Sequence, residues 1–345
     1  PTRYQGFALE GPSSYNLDLY FAMARGFQQG GLDVTAMEMT KWFDTNYHYI
    51  VPEFVKDQQF RLTSEKVINE FNEAKALGIL TKPVLLGPIT YLLLGKEKEA
   101  GFNRLDLIDR LLPVYEEILA KLSEAGAEWV QFDEPFLALD IDDRTRARYQ
   151  TVYSRLSAAA KGIKLAVATY FESLRENAQT ALGLPVQALH VDLVRGENQL
   201  DELLPNVPAG LILSVGVVDG RNIWKNDYEA SLKKIKQAVD TLGADRVWVA
   251  PSCSLLHVPF DLDLENNEES LPAEVKNWLA FAKQKLAEVK DLSVLASGDV
   301  DENTAVHFEA NKAAQQSRRT SSLIHREDVK TRVKNITDAD AQRTS

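Results

Sequence analysis

The stretch IDRLLPVYEEILAKLSEAGAEWVQFDEP, residues 108–135, decides the fold. Its first half sets Ile108, Leu111, Leu112, Tyr115, Ile118, Leu119 and Leu122 at i, i+3, i+4 intervals, one apolar stripe of a helix. Gly126 closes the stripe, because glycine enters the left-handed conformation that ends many helices without steric cost. The second half, EWVQFDEP, is a short apolar run closed by two carboxylates and a proline, the length of a buried strand. A helix passing to a strand through one glycine is a repeating step of α/β construction.

The same alternation runs along the chain. Strand candidates are TAMEM (35–39), PVLLGP (83–88), EWVQFDEP (128–135), IKLAVATYF (163–171), VQALHVDLV (186–194), GLILSVGVV (210–218) and RVWVA (246–250). They are nearly continuous in apolar residues, as strands buried on both faces should be. A second helical stripe, Leu232, Ile235, Val239 and Leu242, ends at Gly243. Seven candidates separated by helices predict a (β/α)8 barrel rather than an open sheet. No strand is followed by G-x-G-x-x-G or a phosphate loop, which counts against a nucleotide-binding sheet.

Composition narrows the function classes. The 345 residues are 45% apolar and carry a net charge of -11. Such a field repels phosphate backbones and anionic lipid, so neither nucleic acid nor a membrane is an expected partner. Cys253 is the only cysteine, which excludes an intrachain disulfide and suits a reducing, cytoplasmic setting. No membrane-spanning apolar run and no signal peptide are evident. The opening PTRYQGF lacks Met and reads as a processed product or a fragment. GFQQGGLDV (26–34) is an abrupt junction where a longer loop is expected to be missing. Residues 311–345 carry eight Lys/Arg against four Asp/Glu, and few apolar side chains. They read as a linker or surface-wrapping tail, with 1–310 as the barrel. NIT at 335–337 is a chance sequon.

Function in a barrel gathers at the C-terminal ends of the strands. Those ends carry Glu38 and Lys41, Pro88 and Thr90, Asp133 and Glu134, Thr169, Tyr170 and Glu172. Further along they carry His190 and Asp192, Asp219, Arg221 and Asn222, and Ser252, Cys253 and His257. Asp133 and Glu134 point to opposite sides of their strand unless the backbone turns at Pro135. They read either as acid/base or ligand-anchoring carboxylates, or as carboxylates fixing loops. His190 and Asp192 share one side and read as a buried hydrogen-bonded pair ahead of a metal or proton-relay pair. Cys253 and His257 lack the further ligands zinc takes. Arg221 can clamp a carboxylate or tie loops by pairing Asp133 or Glu134, and the tie is the preferred reading. Lys41 sits in EMTKWFDTNYHYIVPEF (38–54) among Trp42, Phe43, Tyr47 and Tyr49, with Asn46 beside it. It reads as an anion-binding cation in a poorly screened setting, or as a lysine whose stem lies along Trp42.

EMTKWFDTNYHYIVPEF, KPVLLGPITYLLLGK, GAEWVQFDEP, ATYFES, LPVQALHVDLVRG, SVGVVDGRNIW, WVAPSCSLLH and LPAEVKNWLAFAKQKL occur in this order from about Asp18 to Ala287. Together they resemble the N-terminal half of cobalamin-independent methionine synthase. The resemblance implies a (β/α)8 TIM-type barrel lacking its first strand or strands, with an extended C-terminal linker or tail. It implies a methyltransferase that moves a methyl group from 5-methyltetrahydropteroyltriglutamate to homocysteine without cobalamin. Zinc would sit in a second, C-terminal barrel absent here, held by a His-x-Cys pair, a Glu and a further Cys. Lys41 and Asn46 would grip the folate triglutamate tail. The chain alone would hold neither catalytic residues nor metal ligands, and Cys253 would be structural. A stand-alone decarboxylase-like barrel using Asp133, His190 or Arg221, and a noncatalytic anion-binding barrel, are the competing readings.

Overall fold

The computed structural model describes residues 17–343, so the opening PTRYQGF and the last two residues lie outside the described residues. The chain divides into two units. The first ends at Val217 and resumes over Ala238–Cys253; the second comprises Val218–Gln237 and the chain from Ser254 onward.

The first unit begins with helix α1 (Leu17–Arg25) and a hairpin of β1 (Phe27–Gln29) and β2 (Leu32–Val34). Gly30 and Gly31 have φ of 60° and 80°. Two consecutive positive φ values make the tight two-residue turn whose twist matches a hairpin. The expected missing loop at GFQQGGLDV is therefore a closed hairpin. A second hairpin follows, β3 (Met39–Lys41) against β4 (His48–Ile50), with Lys41 opposite His48. TAMEM is not a strand of the main sheet: residues 35–38 belong to no strand, and only Met39 enters β3. Then come β5 (Glu53–Phe54), helix α2 (Lys66–Ala76), β6 (Val84–Leu86), α3 (Pro88–Leu94) and β7 (Lys96–Glu97), with β5 beside β7.

The other six strand candidates all form one parallel sheet. After β6 come β8 (Trp129–Asp133), β9 (Lys164–Ala168), β10 (Ala188–Asp192), β11 (Ile212–Val218) and β12 (Val247–Pro251), in the spatial order β12-β11-β10-β9-β8-β6. The helices between them include α4 (Ile108–Ala125), α5 (Asp143–Ala159), α6 (Ala178–Leu182) and α7 (Gln199–Leu203). The stripe on α4 is buried at all seven expected positions, and Gly126 ends the helix with φ 87°.

Alternation sorts the two faces of the sheet. Val130, Phe132, Leu165, Val167, Leu189, Val191, Leu213 and Val215 are fully or almost fully buried. The intervening positions are small or polar: Gln131, Asp133, Ala166, Ala168, His190, Ser214 and Gly216. The sheet is strongly rolled. Three strands separate β8 from β12, so a flat sheet would hold them about 19 Å apart. Yet the rings of Trp129 on β8 and Trp248 on β12 have centroids 4.7 Å apart. Lys82, just ahead of the opposite edge strand β6, puts its Nζ 5.4 Å from the Trp248 ring.

A buried carboxylate joins sheet to helices where β8 ends. Glu134 follows Asp133 and turns to the helical side. Its Oε2 accepts from Thr90 N at 2.9 Å, Thr90 Oγ1 at 2.6 Å and Tyr149 OH at 3.2 Å. Its Oε1 accepts from Ile89 N at 3.3 Å and Tyr153 OH at 3.0 Å. Two of the five donors are orphan amides of the first turn of α3, which Pro88 opens. Tyr149 and Tyr153 lie one turn apart on α5 and are fully buried.

The second unit contains the start of α8 (Tyr228–Leu242), then α9 (Ala273–Lys276), α10 (Ala282–Ser297), α11 (Glu302–Thr320) and α12 (Glu327–Lys334). An antiparallel bridge joins Trp224 to Leu279. Lys285 of α10 is fully buried and donates to Trp224 O at 2.9 Å. Arg318 of α11 lies 4.1 Å over the Trp224 ring. The 310/311 boundary drawn from composition falls inside α11, whose Asn311 and Ala314 are buried. Residues 322–343 are exposed throughout.

A Cβ on Gly87 would lie 2.1 Å from Glu134 Cδ and Oε1. Gly87→Ala should therefore destabilise the protein by roughly 2–4 kcal/mol, the cost of overpacking a buried hydrogen-bonded group. In a urea-denaturation double-mutant cycle with Glu134→Ala the two losses should be strongly non-additive, since removing the carboxylate vacates that space. Additive losses would show that the clash is not with Glu134.

Candidate functional site at the strand ends

The C-terminal ends of β6, β8, β9, β10 and β12 bring the expected polar residues of the first unit to one rim, and most of them are already engaged. Asp133 and Glu134 diverge, as alternation requires. Asp133 turns to the polar face, accepting from Gln131 Nε2 at 2.7 Å and Tyr170 OH at 3.2 Å. Burial raises its carboxyl above the usual range, against the pull of those bonds and of Lys82. The Lys82 amine is in turn lowered by burial. Burial also pushes Glu134 up to about 7, although all five of its donors favour the charged form. The hydrogen bonds to both carboxylates come from hydroxyls, amides and Gln131, so the pairing of Arg221 with Asp133 or Glu134 is corrected. The backbone N–H of Arg221 donates to Asp219 Oδ1 at 2.8 Å, and Asn222 donates to Asp219 Oδ2, closing a local turn.

His190 and Asp192 do not bond to each other, which corrects the expected pair. His190 Nε2 lies 3.2 Å from Ser252 O and Nδ1 lies 2.9 Å from Ser214 Oγ. A carbonyl can only accept, so Nε2 is assigned the proton and Nδ1 accepts from the serine. Burial pushes the imidazole down to about 4. Gly216 permits the close packing, since a Cβ there would meet His190 Cε1 at 2.8 Å. Asp192 accepts from Phe171 N at 3.0 Å and from Val194 N and Arg195 N, both at 2.9 Å, so it shapes loops.

The β3–β4 hairpin is fastened to the same rim by its rings. Trp42 and Phe43 pack on Tyr170, Phe171 and Cys253. The Phe43 ring centroid is 5.6 Å from Phe136 and 5.9 Å from Phe171. Phe43 and Phe171 have φ of 52° and 78°. Left-handed phenylalanines cost about 1–2 kcal/mol each, so packing must hold them in place. Inside the turn, Trp42 N donates to Tyr47 O at 2.7 Å and Thr45 Oγ1 to Trp42 O at 2.7 Å. Lys41 and Asn46 stay exposed, and among the described residues Lys41 has no ion-pair partner. Glu38 is held at 2.7 Å by Lys96. The rings thus anchor the hairpin from beneath while its polar residues face outward.

A zinc ion does not suit these side chains. Cys253 is buried against aromatic rings, and among the described residues no three His, Cys, Asp or Glu side chains gather as a metal site. Sequence reasoning missed Tyr149, Tyr153, Gln131 and Lys82. The i, i+4 tyrosines of YQTVY were a usable signal, since two hydroxyls on one helix face require acceptors when buried. No helix among the described residues is long and apolar enough to cross a membrane.

The neutral His190 ties pH to stability. Its folded value lies below the unfolded 6.5, so the unfolded chain binds the proton more readily. Stability from this group is complete above about 6.5 and is lost as pH falls toward about 4. Urea unfolding at pH 5 should show a loss on the order of 1–2 kcal/mol relative to pH 7 that His190→Asn lacks. Equal losses in both proteins would rule out His190 as the source.

Comparison with known proteins agrees with this architecture. Residues 1–243 match the family profile described as cobalamin-independent synthase, N-terminal domain. The chain is 56% identical over 347 aligned positions to the 5-methyltetrahydropteroyltriglutamate–homocysteine methyltransferase of Flavobacterium johnsoniae, covering 100% of this chain and 44% of that protein. It is 54% identical over 332 positions to the enzyme of that name from Cytophaga hutchinsonii, covering 95% of this chain and 43% of that one. The chain thus spans less than half the length of the curated relatives it matches. A B12-independent methionine synthase from Shewanella sp. W3-18-1 shares the fold, with a TM-score of 0.55 at 16% identity over 76% of this chain and 74% of that one. With the profile spanning most of its length, the chain belongs to the family of cobalamin-independent synthase N-terminal domains.

Proposed function

We propose that this chain is the N-terminal half of a cytoplasmic 5-methyltetrahydropteroyltriglutamate–homocysteine methyltransferase, and that it grips the polyglutamate tail of the folate through Lys41 and Asn46. The observation that carries this reading is the ring-anchored hairpin with an exposed, unpaired cation. The rolled six-stranded sheet supports a (β/α)8-type barrel as its scaffold.

In the transfer, homocysteine sulfur attacks the methyl carbon on N5 of the folate. The C–S bond forms, the C–N bond breaks, and the electron pair stays on nitrogen with a proton. Zinc, in this reading, belongs to the other half of the protein. The part of this chain is positioning. A tail of carboxylates meets an ammonium and an amide held on a stiff hairpin, and fixing the tail limits the freedom of the pterin end. A stand-alone enzyme has less support, because Asp133 and His190 spend their hydrogen bonds on their neighbours and His190 is held neutral.

The test compares folates bearing one and three glutamates in the full-length enzyme. Lys41→Ala should weaken the triglutamate by roughly fivefold, near 1 kcal/mol for an exposed ion pair, and leave the monoglutamate unchanged. Asn46→Ala should act in the same direction. Equal weakening of both folates, or of neither, removes the assigned role. The isolated chain should show no turnover with either.

A further inference from the structure

The β3–β4 hairpin carries a second donor beside Lys41. Its register sets Lys41 directly opposite His48. The backbone bonds on either side fix the kind of pair this is. Val51 N donates to Glu38 O at 2.8 Å, and Trp42 N donates to Tyr47 O at 2.7 Å. Bonded and non-bonded pairs alternate along an antiparallel ladder, so 38–51, 40–49 and 42–47 are bonded and Lys41–His48 is not. Side chains come closest at a non-bonded pair, where the Cα atoms lie about 4.5 Å apart and both side chains leave the same face.

Alternation sorts the two faces of the hairpin. Trp42 and Tyr49 share one face, and their rings meet edge to face with centroids 5.8 Å apart. Tyr49 OH donates to Leu94 O at 3.1 Å, which ties that face down. Lys41 and His48 lie on the other face. At its base this face is covered, because Ile50 packs against Ala22, Val34 and Met37. Toward the turn it is open, and Lys41 and His48 are both exposed.

The acids nearest in sequence do not spend these donors. Glu38 is paired with Lys96 at 2.7 Å, and Asp44 Oδ2 lies 3.6 Å from Arg195. Among the described residues no hydrogen bond or ion pair engages the side chain of Lys41 or of His48. An ammonium alone is a point charge, which holds a carboxylate close without fixing its plane. Either tautomer of an imidazole offers one N–H, and a second donor beside the ammonium fixes that plane. We propose that His48 is a specificity-determining residue of the folate-tail site: its ring N–H and the Lys41 ammonium take the two oxygens of one tail carboxylate. This assignment rests on the tail-gripping role of Lys41 proposed above and adds orientation to it.

Steady-state kinetics of the full-length enzyme test this with 5-methyltetrahydrofolates bearing one and three glutamates. His48→Ala should raise the KM for the triglutamate about three- to fivefold relative to that for the monoglutamate, the loss of one hydrogen bond to a charged group. The effect should fall on KM and not on kcat. His48→Gln keeps an N–H donor at similar reach and should restore most of the selectivity. In a cycle with Lys41→Ala the two losses should be less than additive, because both residues hold one carboxylate. Four results would overturn the assignment while leaving the role of Lys41 intact: a selective Lys41→Ala beside an unselective His48→Ala, a lowered kcat, no rescue by glutamine, or additive losses. If Lys41→Ala itself fails to discriminate the two folates, the tail site falls and His48 with it.

Discussion

A carboxylate with no access to water organises the first unit. Glu134 is 0% exposed, and leaving it there without partners would cost several kcal/mol. The fold supplies donors from two elements: the first turn of α3, with two amides and the Thr90 hydroxyl, and two tyrosines of α5. Each donor fixes its own element. The amides set the start of α3, which dictates glycine at position 87, and the tyrosines set the rotation of α5. Because Glu134 turns outward, Asp133 must turn the other way, where Tyr170 and Gln131 hold it. One side-chain direction thus determines how the sheet face and the helix layer meet.

That economy leaves little chemistry free at the rim. His190, Asp192, Thr169 and Asp219 each support a neighbouring loop or strand. The aromatic residues around Lys41 look from composition like the walls of a binding site. Trp42 and Phe43 instead point into the rim and bury themselves on Tyr170, Phe171 and Cys253. In the proposed tail-binding role their contribution is indirect. They make a three-residue-per-strand hairpin, too short to be stable alone, into a rigid platform. A charge on a stiff platform loses less entropy on binding than one on a mobile loop, so a single exposed lysine can matter there.

The strands of the sheet were legible because burial on both faces writes continuous apolar runs, and the α4 stripe was legible because only one face of that helix is buried. TAMEM misled because its apolar residues serve a different cluster: Met37 packs with Ala22 and Val34 beside the first hairpin. The partners of each rim residue were not legible. Glu134 and Tyr153 are 19 residues apart and Glu134 and Thr90 are 44 apart, and no local pattern records such pairings. His190 and Asp192 share a face as alternation requires, but sharing a face does not determine a bond. Their partners come from β11, from the segment after β12 and from the loop after β9, which only the tertiary fold brings near. The basic, polar composition of 311–345 suggested a tail; residues 322–343 are exposed, while α11 enters the segment with Asn311 and Ala314 buried, because a helix needs only a narrow stripe to pack.

Glu134 and Glu288 make an informative contrast. Burial pushes both up to about 7, and both lie among charged or hydroxyl-bearing neighbours. Glu134 has five donors on two oxygens, every one supplied by its own unit. Glu288 has one donor on one oxygen, a lysine three residues earlier on its helix, and no hydrogen-bond partner on its other, buried oxygen. A carboxylate kept only for packing could be replaced by an apolar residue at no loss, whereas one kept for architecture should be fully bonded, as Glu134 is. Glu288 is neither: it is buried, and its bonding is incomplete. The asymmetry between the two carboxylates, more than the burial of either, is what distinguishes them: equal burial and a similar upward push go with full bonding in one and partial bonding in the other.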